Sequence, residues 1–464
     1  MGRLVVVSNR LADPRKPAAG GLAVALGETL QRTGGLWFGW SGKIVEAADG
    51  GKPGEGAVNE HRSGDVKLVT VDLCREDHDG YYLGYSNRVL WPVFHYRLDL
   101  AEFTPESLAT YRRVNRMFAR KLMEQLKDDD VIWVHDYHLI PLAAELRALG
   151  SKHRIGFFLH IPLPPQQILA AIPGHEWFIR SLFSYDLIGF QSETDVIHFE
   201  RYVLAEAGAE ALPGGRYRAF NHTVVAKPFP IGIDVDEFEE LGRGKESVDN
   251  HTMLVDEYSK RRLLIGVDRL DYSKGLPQRI RAFKELLKKY PENNKSATLI
   301  QIASPSREDV DAYVSIRSEL ESLCGEINGD YGELDWMPVR YIHRTVARKR
   351  LPGLFRAGRV ALITPLRDGM NLVAKEFVVA QDPADPGVLV LSRFAGAAEQ
   401  LRDDALLVNP YDIQGTADTI QRALQMPLEE RVMRHGRLLE HIRTYDVHWW
   451  RKEFLTTLEN VDVD

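Results

Sequence analysis

Short, continuous apolar runs recur along the chain, each followed by a polar or glycine-containing turn and then by a segment with helical periodicity. Continuous runs, rather than alternating apolar and polar residues, are typical of strands buried on both faces, as in parallel sheets covered by helices. The pattern therefore predicts an α/β fold. The predicted strands are Leu4–Val7, Val131–Val134, Ile155–Leu159, Leu187–Phe190, Leu263–Val267, Thr298–Ile302, Val360–Thr364, Val388–Leu391 and Leu406–Val408.

Helical periodicity is clear in one segment of the second half of the chain. Ile280 and Phe283 fall on the same stripe of this predicted helix, and Pro291 provides its stop signal. The segments Asn59–Asp65 and Gly242–His251 contain glycine and many charged residues, so we expect surface loops there.

The length of the chain predicts two domains. A chain of 464 residues exceeds what one hydrophobic core usually serves. The best boundary is Lys227–Asp234, in which two prolines and a glycine make a stiff, extended connection. We therefore expect two doubly wound α/β domains that face each other across a cleft.

Charge and cysteine content exclude several classes of protein. A formal net charge of −7 argues against a nucleic-acid partner, because a phosphate backbone requires a broad basic face. The two cysteines provide neither a disulfide framework nor a structural zinc set, which fits a reducing cytoplasm. No segment has the roughly 18 apolar residues of a membrane-spanning helix, and the first apolar run is too short for a signal peptide. We expect a soluble, cytoplasmic protein without a membrane partner.

Polar residues follow several predicted strands at their carboxyl ends. Ligands of open α/β sheets bind outside those ends. The residues in this position are Arg10, Asp136, His160 and Arg307. A surface ion pair explains a single such arginine equally well. Four polar residues at the same end of four strands instead indicate a ligand site.

Two turns carry the charges expected for binding a phosphorylated sugar. Arg269 and Lys274 place two cations on the turn between a strand and a helix. Asp368 lies on a second such turn, and Glu376 follows about two helical turns further on. The two carboxylates can therefore hold different parts of one long ligand.

Other candidate sites have simpler explanations. Asp128–Asp130 precede their strand and so lie at its amino end, where a cap or a solvated turn is expected. His135 and His138 lack a convincing third metal ligand, so we predict no metal site. Gly21 could let backbone amides approach a phosphate or could simply begin a helix, and both readings stay open. Tyr82 and other aromatic residues could pack against sugar faces, but composition alone favours a place in the core for most of them.

The segments that carry these residues resemble the trehalose-6-phosphate synthase family, which are retaining glycosyltransferases of the GT-B type. The resemblance runs from Arg3 to about Pro410. Its motifs are SNRL, AGGLAV, GLWFGWSG, NRVLWPVFHYR, WVHDYHL, FFLHIP, GFQSE, PIGID, VDRLDYSKGLPQR, TPLRDGMNLVAKEFV and VLVLSRFAGAA. The resemblance implies two facing Rossmann-like domains with the active site in the cleft between them. It implies an acceptor domain at 1–234, completed by a carboxyl-terminal helix at 443–464, and a nucleotide-sugar donor domain at 235–442.

The resemblance also implies the roles of individual residues. The acceptor, glucose-6-phosphate, is expected to contact Arg10, Tyr82 and Arg307 through its phosphate. Its hydroxyls are expected to contact Asp136, and Trp91 is expected to shape the pocket. The residues implied in donor binding are Gly21, Arg269 and Lys274 at the diphosphate, Asp368 at the glucose hydroxyls, the backbone amides of Leu372 and Val373, and Glu376 at the ribose.

The implied reaction joins the anomeric carbon of a nucleotide-activated glucose to that of glucose-6-phosphate, with retention, and gives trehalose-6-phosphate. Fixed positive charges stabilise the charge that develops on the leaving diphosphate. The residues implied in catalysis are Arg269, Lys274, Asp136 and His160. The resemblance implies a front-face route in which a donor phosphate oxygen takes the acceptor proton, while His160 contacts the sugar rather than acting as a base. No metal or other cofactor is expected.

Alternatives remain at this stage. The closest is the same fold with glycerol-3-phosphate or a cyclitol phosphate as acceptor, and the next is a non-catalytic sugar-phosphate sensor. A nicotinamide dehydrogenase is excluded because no G-x-G-x-x-G follows the first predicted strand. We expect UDP-glucose as the donor, although the sequence does not distinguish uracil from guanine or adenine. A homodimer and a homotetramer are both left open.

Overall fold

The computed structural model describes residues 2–11, 26, 27, 30, 33–307 and 310–461. The chain forms two compact units. The first consists of Met1–Pro230 and Trp450–Asp464, and the second consists of Ile231–Trp449. The chain thus passes from the first unit to the second inside the segment Lys227–Asp234.

The first unit is built on a ten-stranded sheet with the strand order β3-β4-β2-β1-β5-β6-β7-β10-β9-β8. Its strands are β1 Leu4–Arg10, β2 Gly35–Val45, β3 Val58–Ser63, β4 Val66–Cys74, β5 Val131–His135, β6 Arg154–Phe158, β7 Leu187–Phe190, β8 Glu210–Leu212, β9 Arg216–Ala219 and β10 His222–Pro228. All pairings from β4 across to β10 are parallel. The outer strands β3, β8 and β9 pair antiparallel with their neighbours.

The first unit also contains an unusual helical segment. Residues His78–Leu90 form a π-helix, with short α-helices at Arg75–Asp77 and Trp91–Phe94 on either side. Single π turns inside helices are frequent at functional sites, and a π segment of 13 residues is long. The other α-helices of this unit, among the named elements of its described part, are Pro105–Met123, Leu142–Ala148, Gln166–Leu169, His175–Leu182 and Glu193–Glu206, with 3-10 helices at Ala47–Asp49, Leu98–Leu100 and Tyr137–Leu139.

The last helix, Val447–Glu459, packs aromatic side chains against the first sheet. The rings of Trp450 and Phe454 lie 4.9 and 4.8 Å from the ring of Trp133 on β5. Phe454 fits because Gly156 on β6 has no side chain, and a Cβ there would lie 2.8 Å from a carbon of the Phe454 ring. Residues from the end of the chain therefore complete the core of the unit in which the chain begins.

The second unit is built on a six-stranded sheet with the order β13-β12-β11-β14-β15-β16. Its strands are β11 Arg262–Arg269, β12 Ala297–Ser304, β13 Val339–Ile342, β14 Val360–Ile363, β15 Val388–Ser392 and β16 Leu406–Val408. All of its pairings are parallel. Numbered within the unit, this is the order 3-2-1-4-5-6 of the Rossmann fold, whose direction reverses between β11 and β14.

Helices connect the strands of the second sheet. The α-helices are Val235–Arg243, Lys245–Glu257, Leu276–Lys289, Asp311–Tyr331, Leu351–Ala357, Leu372–Ala380, Ala398–Leu401, Ile413–Gln425 and Leu428–Thr444, with 3-10 helices at Tyr272–Lys274, Pro291–Asn293 and Arg348–Arg350. Within the described parts of both units, no helix is long and apolar enough to cross a membrane.

The predicted α/β class, with two Rossmann-like domains, is confirmed by these two sheets. Every predicted strand overlaps an observed one, and the predicted helix around Ile280 is observed at Leu276–Lys289. The prediction of surface loops at Asn59–Asp65 and Gly242–His251 is wrong. The first segment lies mostly in β3, which is exposed along most of its length, and the second lies in two helices with few buried residues. Because these elements face solvent, their sequences lack the apolar runs that identify buried elements.

Candidate functional site

In the second unit, two loops follow the carboxyl ends of β11 and β14, where the strand order reverses. One loop begins after Arg269 and passes through the 3-10 helix Tyr272–Lys274. The other begins after Ile363 and leads into the helix Leu372–Ala380. Ligands of open parallel sheets bind in the crevice at such a reversal. This edge of the sheet is therefore the first candidate site.

Backbone contacts hold these two loops together. The amide of Leu366 donates to the carbonyl oxygen of Ser273 at 2.7 Å. Gly275 has a φ of 62°, and a Cβ at this position would clash with the carbonyl oxygen of Thr364. Only glycine accommodates both the left-handed backbone and the close approach. The turn that carries Lys274 is thus fixed against the loop after β14.

Opposite charges meet where the loops touch. The amine of Lys274 forms an ion pair with Oδ2 of Asp368, and Asn371 Nδ2 donates to the same oxygen at 2.9 Å. Asn371 has a φ of 60° and begins the helix Leu372–Ala380. The first backbone amides of a helix carry partial positive charge and have no partner within the helix. A cation, a carboxylate and a helix amino terminus therefore converge on one place.

A buried arginine supports this edge of the sheet. Arg279 is 1% exposed, and its Nη1 donates to Asp268 Oδ2 at 2.6 Å and to Gln301 Oε1 at 3.0 Å. Its Nε donates to Thr364 Oγ1 at 3.0 Å. Burial raises the pKa of the Asp268 carboxyl, although the Arg279 charge opposes the rise. One side chain thereby joins β11, β12 and the end of β14.

Glu376 lies on the helix that Asn371 begins, and it is 8% exposed. Burial raises its pKa to about 7, while the charge of Arg348 opposes the rise and that of Glu237 adds to it. Arg348 is itself paired with Glu237, at 2.5 Å. Near neutral pH the Glu376 carboxyl can therefore either donate or accept a hydrogen bond.

Lys375, the preceding residue, is also buried. Its amine donates to the carbonyl oxygen of Ile231 at 2.7 Å and to Gln400 Oε1 at 2.6 Å. Burial lowers its pKa to about 7. Lys375 thus fixes the helix to the segment where the second unit begins.

Arg307 follows β12 on the same edge of the second sheet. Its Nη1 contacts Asp271 Oδ2 at 3.3 Å and donates to the hydroxyl of Tyr313 at 2.6 Å. The Arg307 backbone has a φ of 47°, which is unusual for a residue other than glycine. The side chain is therefore oriented by partners on two other segments of the unit.

In the first unit, the strand order reverses between β1 and β5. Arg10 is the last residue of β1, and Asp136 directly follows β5. The Arg10 guanidinium lies 5.6 Å from the ring centre of Trp40 and packs against Gly42. This edge is the second candidate site, and it has the same place in its sheet as the first.

Aromatic side chains surround Tyr82 on the π-helix. Its ring stacks on that of His138 with centres 5.9 Å apart and an interplanar angle of 11°. The rings of Trp40 and His78 lie 5.7 and 5.5 Å from it. Because Trp40 contacts both Tyr82 and Arg10, the structure brings these two predicted residues together.

Asp136 adopts a strained backbone conformation, with a φ of 75°. Its amide donates to the carbonyl oxygen of Phe158 at 2.8 Å, and its Oδ1 accepts from the amide of His160 at 3.3 Å. The contacts tie the loops after β5 and β6 together. Strain of this kind is characteristic of binding and active sites.

The imidazole of His160 is 1% exposed and has protein partners at both nitrogens. Nδ1 lies 3.3 Å from Gln191 Nε2, and Nε2 lies 3.0 Å from Nδ1 of His135. Because the NH2 group of a glutamine side chain only donates, Nδ1 accepts in this arrangement. Burial lowers the pKa of His160 to about 3, which keeps it neutral at physiological pH.

Comparison with known proteins gives full-length matches. The model of glycosyltransferase family 20 matches residues 7–460. The chain belongs to glycosyltransferase family 20. The chain is 48% identical over 462 residues to a trehalose-6-phosphate synthase of Sinorhizobium fredii. These residues are 99% of this chain and 98% of the relative.

Solved structures match the family-20 chain equally well. An alpha,alpha-trehalose-phosphate synthase (UDP-forming) from Burkholderia xenovorans, in complex with glucose-6-phosphate, has a TM-score of 0.94 at 48% identity. The match covers 99% of this chain and 100% of that one. A structure from E. coli bound with UDP-2-fluoro glucose has a TM-score of 0.94 at 44% identity and covers 100% of both chains.

The remaining predicted residues of the family-20 chain have different surroundings. Arg269 is exposed at the end of β11. Trp91 is 5% exposed and packs against His95 and Tyr137, with ring centres 4.1 and 5.7 Å away. Gly21 lies outside the described residues. Among the residues that are described, no group of three or more His, Cys, Asp or Glu side chains could hold a metal ion.

Sequence reasoning missed several residues that organise the two candidate sites of this family-20 chain. Tyr313 acts through contacts with Asp271 and Arg307, and no local pattern reveals such contacts. Asp271 and Arg279 belong to the motif VDRLDYSKGLPQR, while Trp40 and Asn371 belong to GLWFGWSG and TPLRDGMNLVAKEFV. The motifs were a usable signal for these four residues, although they did not show which residue contacts which partner.

Proposed function

We propose that this glycosyltransferase transfers glucose from UDP-glucose to glucose-6-phosphate with retention and forms alpha,alpha-trehalose-6-phosphate. The observation that carries the proposal is the convergence of Lys274, Asp368 and a helix amino terminus at the reversal of a Rossmann sheet. Such a place binds a diphosphate and a sugar together. The named relatives and the ligands of the solved structures support the choice of substrates.

In this proposal the second unit binds the donor. Arg269 and Lys274 neutralise the diphosphate, and the first amides of the helix Leu372–Ala380 donate to its oxygens. Asp368 accepts hydrogen bonds from glucose hydroxyls, and Glu376 binds the ribose. The ion pair of Lys274 with Asp368 supports these roles because it holds a cation beside a sugar-binding carboxylate. By resemblance, Gly21 also contributes to binding of the donor diphosphate.

The acceptor is bound chiefly by residues of the first unit. Arg10 and Tyr82 bind the phosphate of glucose-6-phosphate, and their shared contact with Trp40 supports a joint role. Asp136 accepts from the sugar hydroxyls, and Arg307 adds a further positive charge at the phosphate. The buried ring of Trp91 helps to shape the acceptor pocket.

The chemical step breaks the bond between the anomeric carbon and the diphosphate. Negative charge grows on the leaving oxygen, and in this proposal Arg269, Lys274 and the helix amides stabilise it. A donor phosphate oxygen takes the proton from the acceptor hydroxyl, so the protein supplies no general base. In this proposal His160 contacts the sugar and does not act as a base, and the protein partners at both of its ring nitrogens support the second point.

These fixed cations also make a metal unnecessary, so we expect the purified enzyme to keep its rate in excess EDTA. UDP release is measured with and without the chelator. A loss of rate that added Mg²⁺ restores would contradict the expectation.

The proposed function is tested by mixing the purified chain with UDP-glucose and glucose-6-phosphate. We expect UDP release together with a new phosphorylated disaccharide whose NMR spectrum shows two α-anomeric protons. A panel of donors that replaces UDP-glucose with the GDP and ADP sugars tests the base. A panel of acceptors with glycerol-3-phosphate and a cyclitol phosphate tests the alternatives. Absence of UDP, GDP or ADP release with every pair would end the claim of activity.

We propose that the enzyme acts in the cytoplasm. Cys74 and Cys324 support it, because both are buried free thiols. Fractionation of cells with an antibody against the chain would test it, and recovery in an extracytoplasmic fraction would contradict it.

A further inference from the structure

Asp271 lies fully buried in the loop after β11, and its two carboxylate oxygens serve different segments. Oδ1 accepts from the amide of Ser273 at 3.0 Å. The carbonyl oxygen of Asp271 accepts from the amide of Lys274 at 3.1 Å. Asp271 therefore sets the start of the turn that presents Lys274.

The other oxygen, Oδ2, reaches a different part of the unit. It accepts from the hydroxyl of Tyr313 at 2.9 Å and contacts Nη1 of Arg307 at 3.3 Å. The Tyr313 hydroxyl in turn accepts from Nη1 of Arg307 at 2.6 Å. The three polar groups thus form a closed triangle in which the hydroxyl is both donor and acceptor.

We propose that Asp271 is a positioning residue for both substrates: Oδ1 holds the turn of Lys274 for the donor, while Oδ2 and Tyr313 aim Arg307 at the acceptor phosphate. The inference rests on the proposed function, because it takes the roles of Lys274 and Arg307 from it. Its new content is the connection between them. One buried carboxylate ties together a cation for the donor and a cation for the acceptor.

The chemistry of the three side chains favours this role. A guanidinium is planar, so fixing Nη1 at two points fixes the direction of the whole group. An arginine on a flexible side chain would otherwise lose rotamer freedom each time it bound a phosphate. A carboxylate with two hydrogen-bonding oxygens can hold two segments at once, which an amide or a hydroxyl does less well.

Because the two oxygens of Asp271 have different partners, two substitutions should have different effects. Tyr313→Phe removes one hydroxyl on the Arg307 side, so KM for glucose-6-phosphate should rise about tenfold while kcat and KM for UDP-glucose change little. Asp271→Asn weakens both sides, so KM for glucose-6-phosphate should rise by at least as much and kcat should fall about tenfold as well. Steady-state UDP release measures both.

Coupling to Arg307 is tested by repeating each substitution in an Arg307→Met background. The rise in KM for glucose-6-phosphate caused by Tyr313→Phe should disappear there, because the hydroxyl no longer has an arginine to aim. The fall in kcat caused by Asp271→Asn should persist, because it acts through the turn of Lys274. An unchanged effect of Tyr313→Phe in this background would overturn the inference.

Tyr258→Phe is a matched control in the same unit. Its hydroxyl accepts from Nη1 of Arg340 at 2.5 Å and has no part in either candidate site. It should leave all three kinetic constants unchanged. Equal effects of Tyr258→Phe and Tyr313→Phe would show a general loss of stability and overturn the inference.

Different outcomes would overturn the proposed function and the positioning role of Asp271. If the unaltered chain releases no UDP with UDP-glucose and glucose-6-phosphate, the proposed function fails. If the unaltered chain is active but Tyr313→Phe raises both KM values equally, or Asp271→Asn changes nothing, only the positioning role fails. Should Asp271→Asn not fold, Tyr313→Phe alone decides, because it removes a single oxygen and keeps the ring contact with Tyr272.

Discussion

The proposed chemistry depends most directly on Lys274. Its amine lies beside Asp368 and near the amino terminus of a helix, where negative charge on a leaving diphosphate would be stabilised. A group that acts mainly on charge developing in the transition state affects turnover more than ground-state binding. Lysine and carboxylate together also keep each other fixed before any substrate binds.

We expect Lys274→Met to lower kcat about 100-fold or more, with a smaller change in KM for UDP-glucose. The measurement is steady-state UDP release at saturating glucose-6-phosphate. Lys284→Met is the control, because Lys284 belongs to the same unit and pairs at the surface with Glu326 and Asp330. A change in KM as large as the change in kcat would contradict the assignment.

Glu376 carries a pH-dependent contribution to stability. Burial raises the pKa of its carboxyl to about 7 from the ordinary 4.5, so the folded chain holds this proton over a range in which the unfolded chain has lost it. The free energy of unfolding contributed by Glu376 therefore falls as pH rises from about 4.5 to about 7, by an amount on the order of 3 kcal/mol. Below that window the penalty for ionisation is absent.

Glu376→Gln should remove this dependence. The free energy of unfolding of the variant, relative to that of the unaltered chain, should be larger at about pH 8 than at about pH 5, because glutamine has no proton to lose. Urea unfolding of both proteins at the two pH values measures this difference. The same difference at both would contradict the raised pKa of Glu376.

Among the elements, strands made of continuous apolar runs were predicted, whereas the exposed edge strands were not. The largely buried strands β2 and β4 were also missed, because glycine or polar residues interrupt their apolar runs. β5 and β11 are continuous apolar runs because both of their faces are covered. β8 and β9 lie at an edge of the sheet with most of their side chains exposed, so nothing in their sequences marks them as strands. The π-helix that holds Tyr82 was also missed, because periodicity arguments assume 3.6 residues per turn.

The candidate sites were predictable to a similar degree. Residues at or just after the carboxyl ends of buried strands, such as Arg10 and Asp136, could be found because topology places them at one edge of a sheet. Contacts between side chains at the two sites could not be found in this way. The contacts of Arg279 with Gln301 and Thr364, for example, depend on the order of the strands, which the sequence does not state.

Arg279 gives a prediction at the scale of the second sheet. Arg279→Met leaves Asp268 as a buried carboxylate without its cation, and we expect a loss of about 3–5 kcal/mol in the free energy of unfolding. Urea unfolding measures it.

The double variant Arg279→Met with Asp268→Leu should recover much of this loss, because replacing both members of a buried pair by apolar residues is less costly than breaking it. If the double variant is as unstable as the single one, the ion pair is not the source of the loss.

On the scale of the whole molecule, the helix Val447–Glu459 packs against the sheet of the first unit, although the second unit separates them in sequence. Phe454 is fully buried against Trp133 and Phe158. We expect Phe454→Ala to destabilise the first unit by about 3–5 kcal/mol, because the strands around the cavity cannot close it. Thermal unfolding measures the effect.

Leu428→Ala is the control for Phe454→Ala, since Leu428 is a helical apolar residue that is 48% exposed. It should change stability by less than about 0.5 kcal/mol. Similar losses for both variants would argue against a role of Phe454 in the core.

The position of Trp450 and Phe454 in the chain has a consequence for biosynthesis. Domains generally fold as units from the amino terminus while the ribosome is still translating. Here the side chains that finish the first sheet follow the second unit along the chain, so the strands made before that unit must wait for them before their core is closed. A nascent chain stalled after Thr444 would have its second domain nearly complete and its first domain still unfinished.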